Sequence, residues 1–123
     1  MIQVILYTLV QFKYNELMKK HFYTHLIEID TLYTQLDSLT LTSTEKKELI
    51  LIIETTVHHV VLDIALTHLP HHAKKDFVNH VNSSNHKKAM LLLRSHVADI
   101  ENIIKKEVAV LVKKFKKDIR KLL

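Results

Sequence analysis

The chain contains no glycine, no cysteine and no tryptophan, and a single proline, Pro70, in 123 residues. Without glycine there is no Walker loop, no dinucleotide-binding fingerprint and no strand-to-helix nucleophile elbow, because each needs backbone that only glycine adopts at low cost. Without cysteine there is no disulfide, no thiolate metal site and no thiol nucleophile. Tight β-hairpins favour positive φ, which glycine supplies cheaply, so a multi-stranded meander would be strained at several turns. Long helices joined by short polar loops need far less of that chemistry. The absences therefore point to an all-α protein.

No run approaches the about 18–20 uninterrupted apolar residues that span a bilayer, so no transmembrane segment is expected. Residues 1–12 (MIQVILYTLVQF) are apolar but carry neither a charged leader nor a small-residue cleavage site. Cytoplasmic location is the expectation. Residues 1–17 are an uncertain N-terminal extension, since Met18-Lys19-Lys20 is itself a natural start, and residues 18–123 form one helical domain.

With 47% hydrophobic residues, the chain has enough apolar material for a core. The periodicity predicts a bundle of four to five helices with a long central helix and a basic C-terminal helix. Met18, Phe22, Leu26, Ile29, Tyr33 and Leu36 recur at steps of three and four, giving a first helix over residues 17–36; the β-branched run before it reads as a strand or as an extension of that helix. Thr42-Ser43-Thr44-Glu45 is a capping box that starts a second helix, which ends near Leu69 because Pro70 cannot continue it. Pro70 suits the first turn of a third helix, residues 71–81, and Asn82-Ser83-Ser84-Asn85 is a loop in which Ser84 or Asn85 caps the next. The fourth helix covers residues 86–96. Asp99 caps a separate fifth helix, or the fourth and fifth are continuous. The fifth carries Ile100, Ile104, Val108, Leu111, Phe115, Ile119 and Leu122 on one side.

The second helix is apolar on two faces. Leu49, Ile50, Ile53, Val57, Val60, Val61 and Ile64 lie on one, and Leu51, Leu62, Leu66 and Leu69 lie nearly opposite. Such a helix is either the centre of a bundle or half of an oligomer interface. The favoured function is accordingly a non-enzymatic one, protein–protein contact and chiefly self-association, through Leu51, Leu62, Leu66 and Leu69.

Charge is unevenly placed. Residues 105–123 hold eight basic side chains against Glu107 and Asp118, a local +6, whereas the remaining ten basic and eleven acidic groups sum to −1. Lys113, Lys114, Lys116, Lys117, Arg120 and Lys121 can bind nucleic-acid phosphates, anionic lipid or an acidic partner, which is the alternative function. No aromatic lies on the basic side, so base stacking is not expected.

Ten histidines stand out. His72, Asp76 and His80 follow one another by a helical turn and give a second, weaker alternative, a histidine-based metal site. His21, His25 and Glu28 form another such row, and Glu54 and His58 an i,i+4 pair. No Glu-x-x-His occurs, so the di-iron bundle pattern fails, and no cofactor is expected. No serine has a triad setting.

The segments L-T-S-T-E-K-K-E-L-I, V-L-D-I-A-L-T-H-L-P-H-H-A-K-K-D-F and H-V-A-D-I-E-N-I-I-K-K-E-V-A-V-L-V-K-K-F-K-K carry a resemblance. Over residues 39–117 the chain resembles an uncharacterised family of short all-helical bacterial proteins, a domain of unknown function. The resemblance implies a helical fold and carries over no functional residue.

Overall fold

A computed structural model describes residues 20–122 as a small all-α bundle, with no strand among them. A 3₁₀ turn, Thr24–Leu26, precedes five helices: α1 (Asp30–Asp37), α2 (Ser43–His68), α3 (His71–Asn82), α4 (His86–His96) and α5 (Ile100–Arg120). The expected strand or helix before residue 18, and the extension at residues 1–17, lie outside the described residues.

The boundaries of α2 to α5 follow from local chemistry. The Thr42 hydroxyl accepts from the Glu45 N–H at 3.1 Å, and the Glu45 carboxylate accepts from the Thr42 N–H at 3.0 Å. The Thr42 N–H, and after it the Thr42 side chain, hold the Glu45 carboxyl below the usual carboxylate range. At the other end, Leu69 is extended (ψ 142°), as the residue before proline must be. Pro70 occupies the N-cap of α3, one residue before the first turn where it was expected, and its carbonyl accepts from the Ala73 N–H.

Without glycine, α3 closes with Ser84 in the left-handed region at φ 56°. The Asn85 N–H reaches the His80 carbonyl at 2.9 Å and the Ser84 N–H reaches that of Val81, the paired bonds of a Schellman motif. The Asn85 side chain then accepts from the Lys88 N–H and starts α4. Asp99 is also left-handed (φ 63°) and separates α4 from α5, so the two helices are not continuous. Its carboxylate takes a bond from the Asn102 side chain rather than capping a backbone N–H.

The first helix is the main correction. It does not run over residues 17–36: among the described residues it spans only Asp30–Asp37. Upstream, the Thr24 hydroxyl accepts from the His21 N–H at 2.7 Å, and Ile27 is extended. The consecutive residues Phe22 and Tyr23 are both buried, with Phe22 against Phe77 and Tyr23 against His58. Adjacent side chains on a helix diverge by about 100° and would not both find these neighbours, so tertiary burial overrides the helical period.

The core runs along α5. Ile100, Ile104, Val108, Val112 and Ile119 are buried, while Leu111 and Phe115 are half-buried and Leu122 is 64% exposed. The buried line therefore drifts from the expected stripe to include Val112 and drop Leu122. α5 packs against α2, α1, α4 and the turn, and α3 and α4 form a hairpin. Gln35 on α1 donates to the Lys116 carbonyl at 3.1 Å. Exposed ion pairs, Lys46–Asp37 and Arg94–Glu101, bridge consecutive helices.

Candidate functional site

One face of α2 carries Glu54 and His58, an i,i+4 pair stacked one turn apart in the middle of an apolar helix. Two other elements close over them. The 3₁₀ segment brings Tyr23, whose hydroxyl is hydrogen-bonded to His58 Nδ1 at 2.9 Å. α1 brings Tyr33, whose hydroxyl donates to Glu54 Oε1. The His21 ring stacks on Tyr23 (centroids 5.2 Å apart, planes 3° apart) and leans on His58 at 4.6 Å.

Partial burial governs the ionisation of this cluster. It pushes the Glu54 carboxyl up to about 7. It drives His58 down to about 4, helped by the like charges of His21 and His59. It also raises the Tyr23 phenol, as does the carboxylate of Glu54. Near neutral pH His58 and Tyr23 are uncharged, and Glu54 exchanges its proton with little bias. A cleft of about 380 Å³ opens beside the cluster, with Tyr33 and Glu54 in its wall and Glu28 and Asp30 also lining it. The i,i+4 spacing was legible in the sequence. The two tyrosines were not, because they arrive from separate elements.

The remaining candidates are dispersed. Of the second face of α2, Leu51, Leu62 and Leu66 keep partial exposure, while Leu69 is only 4% exposed and belongs to the core. Ile52, outside that set, is 55% exposed. On α5 and just past its end, Lys113, Lys114, Lys117, Arg120 and Lys121 are exposed and Lys116 is half-buried. Lys105, Lys113 and Lys116 border a groove of about 560 Å³ floored by Val108 and Val112, which faces His25 and Glu28.

Among the described residues no three His, Asp or Glu side chains converge to hold an ion. His72, Asp76 and His80 share a face of α3, but their backbone positions spread over about 12 Å of helix axis, too far to meet at one point. His72 instead sets its ring edge-on to His96 at 5.6 Å. His21, His25 and Glu28 lose their common face because no α-helix forms there.

No protein-family model matches the chain, and no curated protein or solved structure matches it.

Proposed function

We propose that this protein is a non-enzymatic interaction module of the cytoplasm that associates with a second copy of itself through the outer face of α2. One observation carries the reading. By length and composition α2 is apolar enough to cross a membrane, yet only 28% of its most apolar stretch is buried within the chain. Ile52 is more than half exposed, and Leu51, Leu62 and Leu66 are partly so. Apolar surface left in water favours enclosure by about 25 cal/mol per Å². A symmetric pair is the commonest way a soluble chain encloses such a face. A bilayer suits this helix less well: Glu54 and Asp63 lie within it, and its Ile53, Val57 and Val61 are already committed to the core.

Sedimentation equilibrium tests the proposal. Wild-type protein should be a dimer in detergent-free buffer. The double variant I52E/L62E should be monomeric with unchanged helix content. A wild-type chain that stays monomeric at high concentration, or a variant that still pairs, overturns it.

A second reading is an anionic-surface or nucleic-acid binder. It is favoured by the exposed run Lys113, Lys114, Lys117, Arg120 and Lys121, which also complements the C-terminal end of the helix dipole. Binding to duplex DNA or anionic vesicles should fall steeply between low and physiological salt, and charge reversal at Lys113 and Lys117 should abolish it.

A further inference from the structure

The cleft beside Glu54 has a character that the association face does not. Its walls come from three elements: the 3₁₀ segment (His21, Tyr23), α1 (Asp30, Tyr33) and α2 (Glu54). Glu54 is half-buried, and its hydrogen-bond partner is a neutral phenol. No salt bridge among the described residues reaches it. Glu28 and Asp30 add carboxylates to the lining, and Lys20, which is exposed, adds one ammonium. The cleft thus offers an excess of carboxylates, the half-buried Tyr33 ring and, in Glu54, a half-buried carboxylate with no counter-ion among the described residues. Convergent His, Asp and Glu ligands are missing among the described residues, which disfavours a bare metal ion. A volume of about 380 Å³ suits a small molecule.

We propose that this cleft binds a small organic cation, a primary or quaternary ammonium compound, with its charged group against the Glu54 carboxylate and the Tyr33 ring. An aromatic face and a carboxylate together recognise such groups by cation–π and Coulomb attraction. The inference does not depend on self-association, since Glu54 and Ile52 lie on different sides of α2.

Binding has a proton signature. Without ligand, burial holds the Glu54 carboxyl near 7. A bound ammonium stabilises the ionised form, so binding below neutral pH must expel a proton. Affinity rises with pH up to about 7 and levels off above it, by at most tenfold per pH unit. The other charged or titratable groups facing the site are Lys20, His21, Tyr23 and Glu28 from the irregular segment, Asp30 and Tyr33 from α1, and His58 from α2. His58, driven down to about 4, stays neutral across this range.

The experiment is an NMR titration of the intact chain with n-butylammonium, tetramethylammonium and n-butanol as the neutral control. Either ammonium ion should shift the amides of Thr24, Glu28, Tyr33 and Glu54 and bind at least about tenfold tighter than butanol. Glu54→Gln should remove that preference while helix content is unchanged. A second measurement needs no variant: wild-type affinity for the preferred ion should increase from pH 6 to pH 7. Equal binding of ammonium ions and butanol, an unchanged preference in Glu54→Gln, or a pH-independent wild-type affinity overturns the proposal.

Discussion

Phe22 meets Phe77 edge to face, with ring centroids 5.4 Å apart and planes at 86°. The contact joins the irregular segment before α1 to α3, and both rings are buried. It explains why residues 20–29 forgo the helix that their spacing suggests: a ring inserted into the core returns more than one turn of solvated helix. The same segment places Tyr23 over His58, so the aromatic staple and the polar cluster are two ends of one packing arrangement.

Truncation of that staple should be costly. Phe77→Ala removes a fully buried ring and should destabilise the fold by about 3–5 kcal/mol. Phe22→Leu retains apolar bulk and forfeits the ring pairing, worth about 0.5–1.5 kcal/mol, together with some packing volume. Urea denaturation followed by circular dichroism reads both values.

The Glu54–His58 pair should give an unusual pH profile. The folded-state pKa of Glu54 is raised to about 7 from 4.5, so its contribution is fully present below pH 4.5 and is lost as pH rises to 7. That of His58 is lowered from 6.5 to about 4, so its contribution is fully present above pH 6.5 and is lost as pH falls to 4. Between pH 4.5 and 6.5 the two slopes oppose and largely cancel. Each substitution should uncover the other group: Glu54→Gln leaves stability rising with pH across that window, and His58→Gln leaves it falling. Thermal melts at half-unit steps check the signs, and parallel profiles for the two variants would refute the pairing.

Two turns carry the cost of having no glycine. Ser84 at φ 56° and Asp99 at φ 63° occupy a region that disfavours side chains bearing a Cβ. Ser84→Gly should stabilise the protein by about 0.5–1 kcal/mol. Asp99→Gly should gain less, because it forfeits the bond from Asn102. Ser84→Val should destabilise by about 1–2 kcal/mol, since a β-branched residue tolerates this conformation worst. Differences in melting temperature rank the three.

The capping box supplies an exposed control. Thr42→Ala removes the oxygen that accepts from the Glu45 N–H and should cost about 1 kcal/mol. The Glu45 carboxyl, no longer held by the Thr42 side chain, should titrate closer to the usual carboxylate range. NMR titration of Glu45 in wild type and variant measures the change.

The amino-acid pattern alone sufficed for the all-α class, for α2 and α3 and for the start of α4, because caps and breakers act within about four residues of where they stand; it left α4 and α5 as either separate or continuous. Thr42 with Glu45, Pro70 and Asn85 each mark a boundary without reference to anything distant, whereas the left-handed Asp99 separates α4 from α5 only in the structure. Tertiary structure decided what depends on separated segments. It shortened the first helix, because burying Phe22 and Tyr23 together outweighed a helical period that residues 22–36 carry in full. It divided the second apolar face of α2, sending Leu69 inward and leaving Leu51, Leu62 and Leu66 partly exposed. It also assembled the polar cluster, since Tyr23 lies 35 residues from His58 and Tyr33 lies 21 from Glu54. Spacing along one helix brings a carboxylate and an imidazole together, but only the packing of other elements over them supplies the phenols and the partial burial that shifts their ionisation.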